Sequence, residues 1–181
     1  AYQEIILPLL DDRFARFTIE KKDIHVTIRE KDLKTLRKQE LLNEFYSDTC
    51  SRYLNLEFLT PTAFKSNGNY VIMPDTKYIY QSLMNKYSSA SPDMEMYDPE
   101  ILDHLIDHSS IVQYRLRSVL FPIEGIKIPS FKGELSLKIS GPGTMAKYAR
   151  LLARFGEYAG VGIKTAMGMG GLQIKEWGAK K

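Results

Sequence analysis

The segment Phe131–Phe155, FKGELSLKISGPGTMAKYARLLARF, decides the fold because it joins a strand to a helix through a strong breaker. Apolar side chains alternate with others over its first nine residues, which is the pattern of a half-buried strand. Gly141-Pro142-Gly143 ends that strand, and apolar residues then recur at helical spacing. Arg150 and Arg154 lie off the apolar stripe of this helix. The segment therefore predicts a half-buried strand followed by an amphipathic helix.

Elements on both sides of this segment complete a longer pattern. Residue periodicity predicts strands at 54–58 and 112–120, a helix at 75–87 capped by Asp75, and a last strand at 172–174. Thr60-Pro61-Thr62 is predicted to end the first strand, because proline cannot donate to a β-ladder. The order β-α-β-β-α-β is that of a ferredoxin-like (RRM-like) α+β domain, in which two helices cover one face of an antiparallel sheet.

The front of the chain fits this pattern less well. We predict a strand at Phe17–Ile28 and a helix at Asp32–Tyr46, and these are too few elements to enclose a core. We interpret this region as the end of another domain.

Composition excludes several classes of protein. Of the 181 residues, 44% are hydrophobic and 26% are charged, which is enough apolar material for a core. A single cysteine, Cys50, excludes a disulfide framework and a multi-cysteine zinc site. No apolar run approaches the roughly 20 residues that span a bilayer, so we expect a soluble cytoplasmic protein with no membrane partner.

Charge is divided unevenly along the chain. Residues 1–109 hold 13 Lys and Arg against 18 Asp and Glu, whereas residues 110–181 hold 12 against 4. The basic part is where a polyanion is expected to bind. Within it, Arg115 and Arg117 share one face of the predicted strand, which is typical either of a track for phosphates or of a solvated sheet surface.

A glycine-rich loop, Gly160–Gly171 with the sequence GVGIKTAMGMGG, joins the basic helix to the last strand. Glycines let backbone N–H groups converge on an anion, and Lys164 and Thr165 add a cation and a hydroxyl. The loop is not a Walker motif, because Ile163 separates glycine from lysine and the loop follows a helix. Its composition leaves two interpretations open: a phosphate-binding loop, or a helix cap followed by a tight turn.

Three signatures give the chain a family resemblance. They are FLTPTAFK at Phe58–Lys65, IPSFKG at Ile128–Gly133 and FGEYAGVGIKTAMGMG at Phe155–Gly170. With them, nearly all of residues 17–177 resembles the CRISPR-associated endoribonucleases that process pre-crRNA, which are members of the RAMP superfamily. The resemblance favours phosphate binding by the glycine-rich loop.

The resemblance implies two tandem ferredoxin-like domains. Residues 1–46 are then the C-terminal remnant of the first domain with a connecting helix, and residues 52–177 are the second domain. By the same resemblance, we expect the strand and helix that open the first domain to be missing from the chain.

The resemblance also implies an activity, the metal-independent cleavage of CRISPR repeat RNA (pre-crRNA) into mature guide RNAs. The 2′-hydroxyl attacks the adjacent phosphate, and histidine suits the proton transfers because its pKa lies near neutrality. Many family members carry that histidine in the first helix of the first domain. We therefore assign no catalytic role to His25, His104 or His108, leave the activity of this fragment open, and predict no metal and no cofactor.

Repeat RNA is the predicted partner, and the predicted RNA-binding residues lie in the basic part. They are Gly160, Gly162, Lys164, Thr165, Gly168 and Gly170 of the loop, Arg150 and Arg154 of the helix before it, and Arg115 and Arg117. Two alternatives stay open: a non-catalytic RAMP-type subunit that binds crRNA in a CRISPR effector complex, and a domain that binds a small anionic metabolite. A homodimer is a further assembly that we consider.

Overall fold

The structure is a computed structural model that describes residue 4 and residues 6–46, 50–91 and 97–175. Contacts divide the chain into two compact units, Ala1–Thr35 and Leu36–Lys181. The division into domains at 1–46 and 52–177 stays a prediction, and residues 1–3, 5, 92–96, 176 and 177 of those ranges lie outside the described residues. No helix within the described ranges is long and apolar enough to cross a membrane.

The first unit contains a short helix and a β-hairpin. Its elements are helix α1 (Leu7–Leu10), strand β1 (Arg16–Ile19) and strand β2 (Ile24–Thr27). The two strands pair antiparallel across a 3-10 turn at Glu20–Lys22 and a left-handed Asp23. The predicted single strand Phe17–Ile28 is therefore wrong, because the chain reverses at this polar turn.

The second unit contains the other described elements. In chain order they are α2 (Lys38–Tyr46), β3 (Tyr53–Thr62), β4 (Phe64–Ser66), β5 (Asn69–Val71), α3 (Thr76–Ala90), α4 (Pro99–Asp107), β6 (Ser109–Ile123), β7 (Ile126–Ile139), α5 (Gly143–Ala159) and β8 (Leu172–Lys175). A 3-10 turn at Thr165–Met167 lies between α5 and β8.

Four of these strands form one antiparallel sheet in the order β6-β7-β3-β8. The chain enters them as β3, β6, β7 and β8, with α3 before β6 and α5 before β8. This is the predicted β-α-β-β-α-β connectivity, so the ferredoxin-like fold is confirmed. Leu56 of β3 and Leu135 of β7 are paired and buried in the main core with Leu83 of α3 and Leu152 of α5. Because side chains alternate along a strand, the residues next to Leu56 in β3 and next to Leu135 in β7 point to the opposite face of the sheet, which we call the open face.

Strand β3 is longer than predicted. It continues through Pro61 to Thr62, with a register shift against β7 between Phe58 and Thr62. The shift lies where Pro61 has no N–H to donate, and the Pro61 carbonyl accepts from the Gly170 amide at 3.0 Å. The predicted end at Thr60-Pro61-Thr62 is therefore wrong, because the irregularity accommodates the proline.

A small hairpin precedes helix α3. Strands β4 and β5 pair across Asn67 and Gly68, both of which have positive φ. Helix α3 then begins at its predicted cap, because the Asp75 carboxylate accepts from the Lys77 amide at 2.8 Å.

Helix α2 belongs to the second unit through its packing. Leu41 is buried in a cluster with Tyr87 of α3 and a leucine of α5. The helix begins at Lys38 rather than at the predicted Asp32, because the Glu40 carboxylate accepts from the preceding backbone amide at residue 37 and caps the first turn.

Candidate functional site

The glycine-rich loop lies against the end of β3. Its amides donate to protein oxygens: Val161 to Gly170 O at 2.8 Å, Gly162 to Ser82 Oγ at 2.8 Å, Ile163 to Ala63 O at 3.0 Å, Gly170 to Pro61 O at 3.0 Å and Gly171 to Thr60 Oγ1 at 2.7 Å. The amides of Gly160 and Gly168 donate to the carbonyls of Gly156 and Thr165. These N–H groups therefore hold the loop in place and do not converge on an anion.

Gly170 shows why a side chain is excluded from the base of the loop. Its φ is +71°, and a Cβ atom there would lie 2.0 Å from the Val161 carbonyl oxygen. No Cβ atom tolerates such a distance to backbone. Close approach of two backbone segments thus accounts for this glycine without any ligand.

A small second core fastens the loop to the sheet. Met169 is 2% exposed and packs with Ala63 and Ile128, and Ile163 packs against the same cluster. Met167 is 52% exposed. The sequence favours core packing for both methionines, which is confirmed for Met169 and wrong for Met167, because the chain turns outward between them.

The loop tip, which we define as Lys164–Gly168, stands outside this hydrogen-bonded base. Lys164 adopts a left-handed conformation with φ 52°, and the Thr165 hydroxyl accepts from the Lys86 ammonium of α3 at 2.6 Å. Partial burial lowers the pKa of Lys86. Within the described part of the chain, neither Lys86 nor Lys164 has an acidic partner.

Lys86 is a residue that the sequence reasoning missed. It lies one helical turn after Ser82, which accepts from the Gly162 amide, so both side chains reach the loop from the same face of α3. The spacing of Ser82 and Lys86 is readable in the sequence. That both side chains contact the loop follows only from the packing of α3 against it.

Arg150 and Arg154 lie one turn apart on α5, and both are half-buried. Arg154 forms an ion pair with Glu157, and the other carboxylate oxygen of Glu157 accepts from the Ile174 amide of β8 at 2.9 Å. Arg154 thereby steadies the group that fastens β8 to α5. The charge of Arg154 therefore already has a structural partner.

Arg115 and Arg117 share the open face of the sheet, as predicted. Arg115 lies opposite Glu134 of β7, and Arg117 lies opposite Lys132. Like charges directly opposite each other repel, and the described residues give neither Arg117 nor Lys132 an acidic partner. We call Arg117 and Lys132 the sheet pair.

Farther across the open face, the charges are compensated. Glu57 of β3 and Glu134 of β7 are also direct neighbours, and the Lys175 ammonium binds both carboxylates, at 3.1 Å from Glu57. Hydrogen bonding to Lys175 lowers the pKa of Glu134, and the same contact raises the pKa of Lys175. The sheet pair is thus a cationic site beside a balanced ionic cluster.

The three histidines lie outside the residues that define the loop tip and the sheet pair. His25 lies in the first unit, where its ring faces Thr18 across the hairpin at 3.0 Å. His104 and His108 lie on and just after α4, and the His108 ring bonds to the His104 carbonyl at 2.8 Å. Across the residues that the structure describes, no three His, Cys, Asp or Glu side chains form a group that could hold a metal.

A family model for the CRISPR-associated endoribonuclease Cas6 matches residues 56–172, which contain the loop and most of the sheet. The chain belongs to this family. A Streptococcus thermophilus protein named CRISPR-associated endoribonuclease Cas6 is 38% identical over 151 residues, which make up 83% of this chain and 62% of the relative. A Mycobacterium tuberculosis protein of the same name is 34% identical over 175 residues, 97% of this chain and 55% of the relative. The chain spans somewhat more than half the length of these Cas6 relatives.

Solved Cas6 structures share the fold. A Thermus thermophilus Cas6 matches with a TM-score of 0.64 at 25% identity, covering 75% of this chain and 57% of that one. A Cas6 product complex matches with a TM-score of 0.65 at 23% identity, covering 75% and 56%. The product of a Cas6-related gene from Pyrococcus furiosus matches at 0.52 and 16% identity, covering 97% and 65%.

We expect Gly170→Ala to detach the loop from β3. The added methyl group meets a backbone carbonyl and the residue must keep a positive φ, so the free energy of unfolding should fall by roughly 2–4 kcal/mol. Gly168→Ala is the matched control, because its φ is +89° but its Cβ would meet nothing within 4 Å. It should cost only about 1 kcal/mol. Urea unfolding of both variants checks this, and equal losses would show that the close approach is unimportant.

Proposed function

We propose that the chain is the RNA-binding part of a metal-independent endoribonuclease that cleaves CRISPR repeat RNA (pre-crRNA) into guide RNAs. The observation that carries the proposal is the family match over residues 56–172, because these residues also carry the loop tip and the sheet pair. Relatives named endoribonucleases, and solved relatives described as product and substrate-mimic complexes, support it.

Cleavage by 2′-hydroxyl attack needs three kinds of group. A base removes the hydroxyl proton, an acid protonates the departing 5′-oxygen, and cations or N–H groups stabilise the charge of the phosphorane. Lys164 at the loop tip suits the third role, because no acid neutralises it among the described residues. We assign no residue to the first two roles.

Side chains, rather than loop amides, are the proposed contacts to RNA phosphates. Lys164 supplies a charge and Thr165 a hydroxyl, whereas Gly160, Gly162, Gly168 and Gly170 shape the loop that presents them. Arg150 and Arg154 extend the basic surface along α5. Arg154 also keeps its structural bond to Glu157, so we expect a smaller share of RNA affinity from it.

The sheet pair is the second proposed contact. A phosphate between Arg117 and Lys132 would replace a repulsion with two attractions, because the two side chains are direct neighbours across β6 and β7. Arg115 lies two residues along the same strand face and extends this contact, although Glu134 partly balances its charge.

The second candidate function is a non-catalytic crRNA-binding subunit of a CRISPR effector complex, alone or as a homodimer. The observation that favours it is the composition of the loop tip, because Lys164–Gly168 contains no His, Asp or Glu that could transfer a proton. Under this proposal the chain holds the RNA and leaves the proton transfers to another protein.

We expect the full-length protein that carries this sequence to cleave the CRISPR repeat RNA of its own genome in the presence of EDTA. The product should end in a 2′,3′-cyclic phosphate, because the 2′-hydroxyl of the same strand is the nucleophile. Gel electrophoresis with acid treatment of the product detects this end. Tight binding without cleavage would favour the RNA-binding subunit, and absence of both would contradict either function.

Lys164→Ala should weaken binding of the repeat RNA and flatten its salt dependence. Loss of one phosphate contact reduces the slope of log K against log salt concentration by roughly 0.7–0.9. Lys77→Ala is the matched control, because Lys77 is an exposed lysine at the other end of α3. Fluorescence anisotropy across a salt series measures both slopes. An unchanged slope for Lys164→Ala would leave the loop tip a structural feature only.

Lys132→Thr should separate stability from binding. Removing one charge of the sheet pair relieves a repulsion, so the free energy of unfolding should stay equal or rise by about 0.2–1 kcal/mol. Affinity for repeat RNA should nevertheless fall, with a flatter salt slope. Lys138→Thr is the control on the same strand, opposite Ser110 rather than a cation. A loss of stability in Lys132→Thr with no loss of affinity would contradict the proposed contact.

A further inference from the structure

A groove lies between the C-terminal halves of α3 and α5, next to the glycine-rich loop. Its volume is 560 Å³, within the roughly 300–1,000 Å³ of small-ligand sites. Asn85, Lys86, Ser89 and Ala90 line it from α3, and Phe155, Tyr158 and Ala159 line it from α5.

The floor and walls of the groove suit a flat ring. Phe155 is held by an edge contact with Tyr87, with ring centroids 5.0 Å apart. Tyr158 is 45% exposed, so part of the residue is accessible to a ligand. The small residues Ala90 and Ala159 leave space between the helices. Any of the nucleobases can stack on such an aromatic surface.

Polar groups line the groove beside its apolar surface. Lys86 lies at the end that adjoins the loop, where its ammonium is oriented by the Thr165 hydroxyl at 2.6 Å and has no acidic partner among the described residues. Asn85 offers amide donors and an acceptor, and Ser89 offers a hydroxyl. The groove thus combines an apolar stacking surface, polar groups for a base edge and one oriented cation.

We propose that this groove binds one unpaired nucleotide of the RNA, with its base against Tyr158 and its phosphate at the Lys86 ammonium. The proposal rests on the proposed function, because it names where on the chain an unpaired part of the repeat RNA is held. The shared lysine–threonine contact makes the groove continuous with the loop tip. An RNA strand that crosses the tip therefore has its next phosphate within reach of Lys86.

Tyr158→Ala and Tyr158→Phe test the base contact with the repeat RNA encoded by the same genome. Tyr158→Ala should weaken affinity roughly five- to hundredfold, whereas Tyr158→Phe retains the ring and should bind like the unmodified chain. Tyr70→Ala, at a tyrosine that is 40% exposed on the β4–β5 hairpin, is the matched control and should have no effect. Equal losses in the alanine and phenylalanine variants would overturn stacking.

Lys86→Met and Lys86→Arg test the phosphate contact. The methionine variant should flatten the salt slope by roughly 0.7–0.9 and the arginine variant should restore it, with Lys77→Met as the control. Restoration by arginine separates a charge contact from a purely structural bond to Thr165.

Ultraviolet cross-linking gives an independent readout. After tryptic cleavage at Arg154 and Lys164, a nucleotide adduct should be found on the peptide Phe155–Lys164 and should be lost in Tyr158→Ala. Normal RNA affinity with no adduct and no effect of Tyr158→Ala would overturn the groove and leave the proposed function standing. Failure of the unmodified chain to bind repeat RNA would contradict both the groove proposal and the proposed function. Binding of a peptide, rather than RNA, in the groove would overturn the nucleotide assignment.

Discussion

The docking of the glycine-rich loop onto the end of β3 is the interaction on which the functional surface depends. The Gly170 amide donates to the Pro61 carbonyl, and the Gly170 carbonyl accepts from the Val161 amide. A Cβ atom on Gly170 would collide with the Val161 carbonyl oxygen. Met169 and Ile163 pack beneath the loop with Ile128. This docking uses the loop amides, so the chain presents the side chains of the tip to a ligand instead of a ring of N–H groups.

Charge pairing then decides which cations are left for the proposed RNA contacts. Lys175 holds two carboxylates together on the open face, and Arg154 holds Glu157 against β8. Lys164, Lys86 and the sheet pair have no such acidic partner in the described parts of the chain. An exposed ion pair contributes little to stability, so a paired surface cation says little about function. A cation that lacks an acidic partner and stands beside fixed backbone is the better indicator of a polyanion contact. Formal charge counts do not make this distinction.

Local patterns predicted the fold well, and tertiary pairing set the limits. Alternation along Phe131–Ile139 and the cap at Asp75 identified elements correctly, because each depends on neighbouring residues only. The end of β3 was wrong because a register shift accommodates Pro61. Lys86 and Lys132 were missed because their importance arises from α3 packing on the loop and from the register of β6 with β7. Neither relation is visible in the local sequence.

Hydrogen exchange at single amides, with and without repeat RNA, tests most directly the claim that the fold forms the loop and its side chains bind the RNA. The account predicts that Gly162, Ile163 and Gly170 are protected before RNA is added and change little afterwards, while protection increases at Lys164 and Thr165. The contradicting result is rapid exchange at Gly162, Ile163 and Gly170 in the free chain with protection only on RNA binding. The loop would then be a flexible phosphate cradle closed by its ligand.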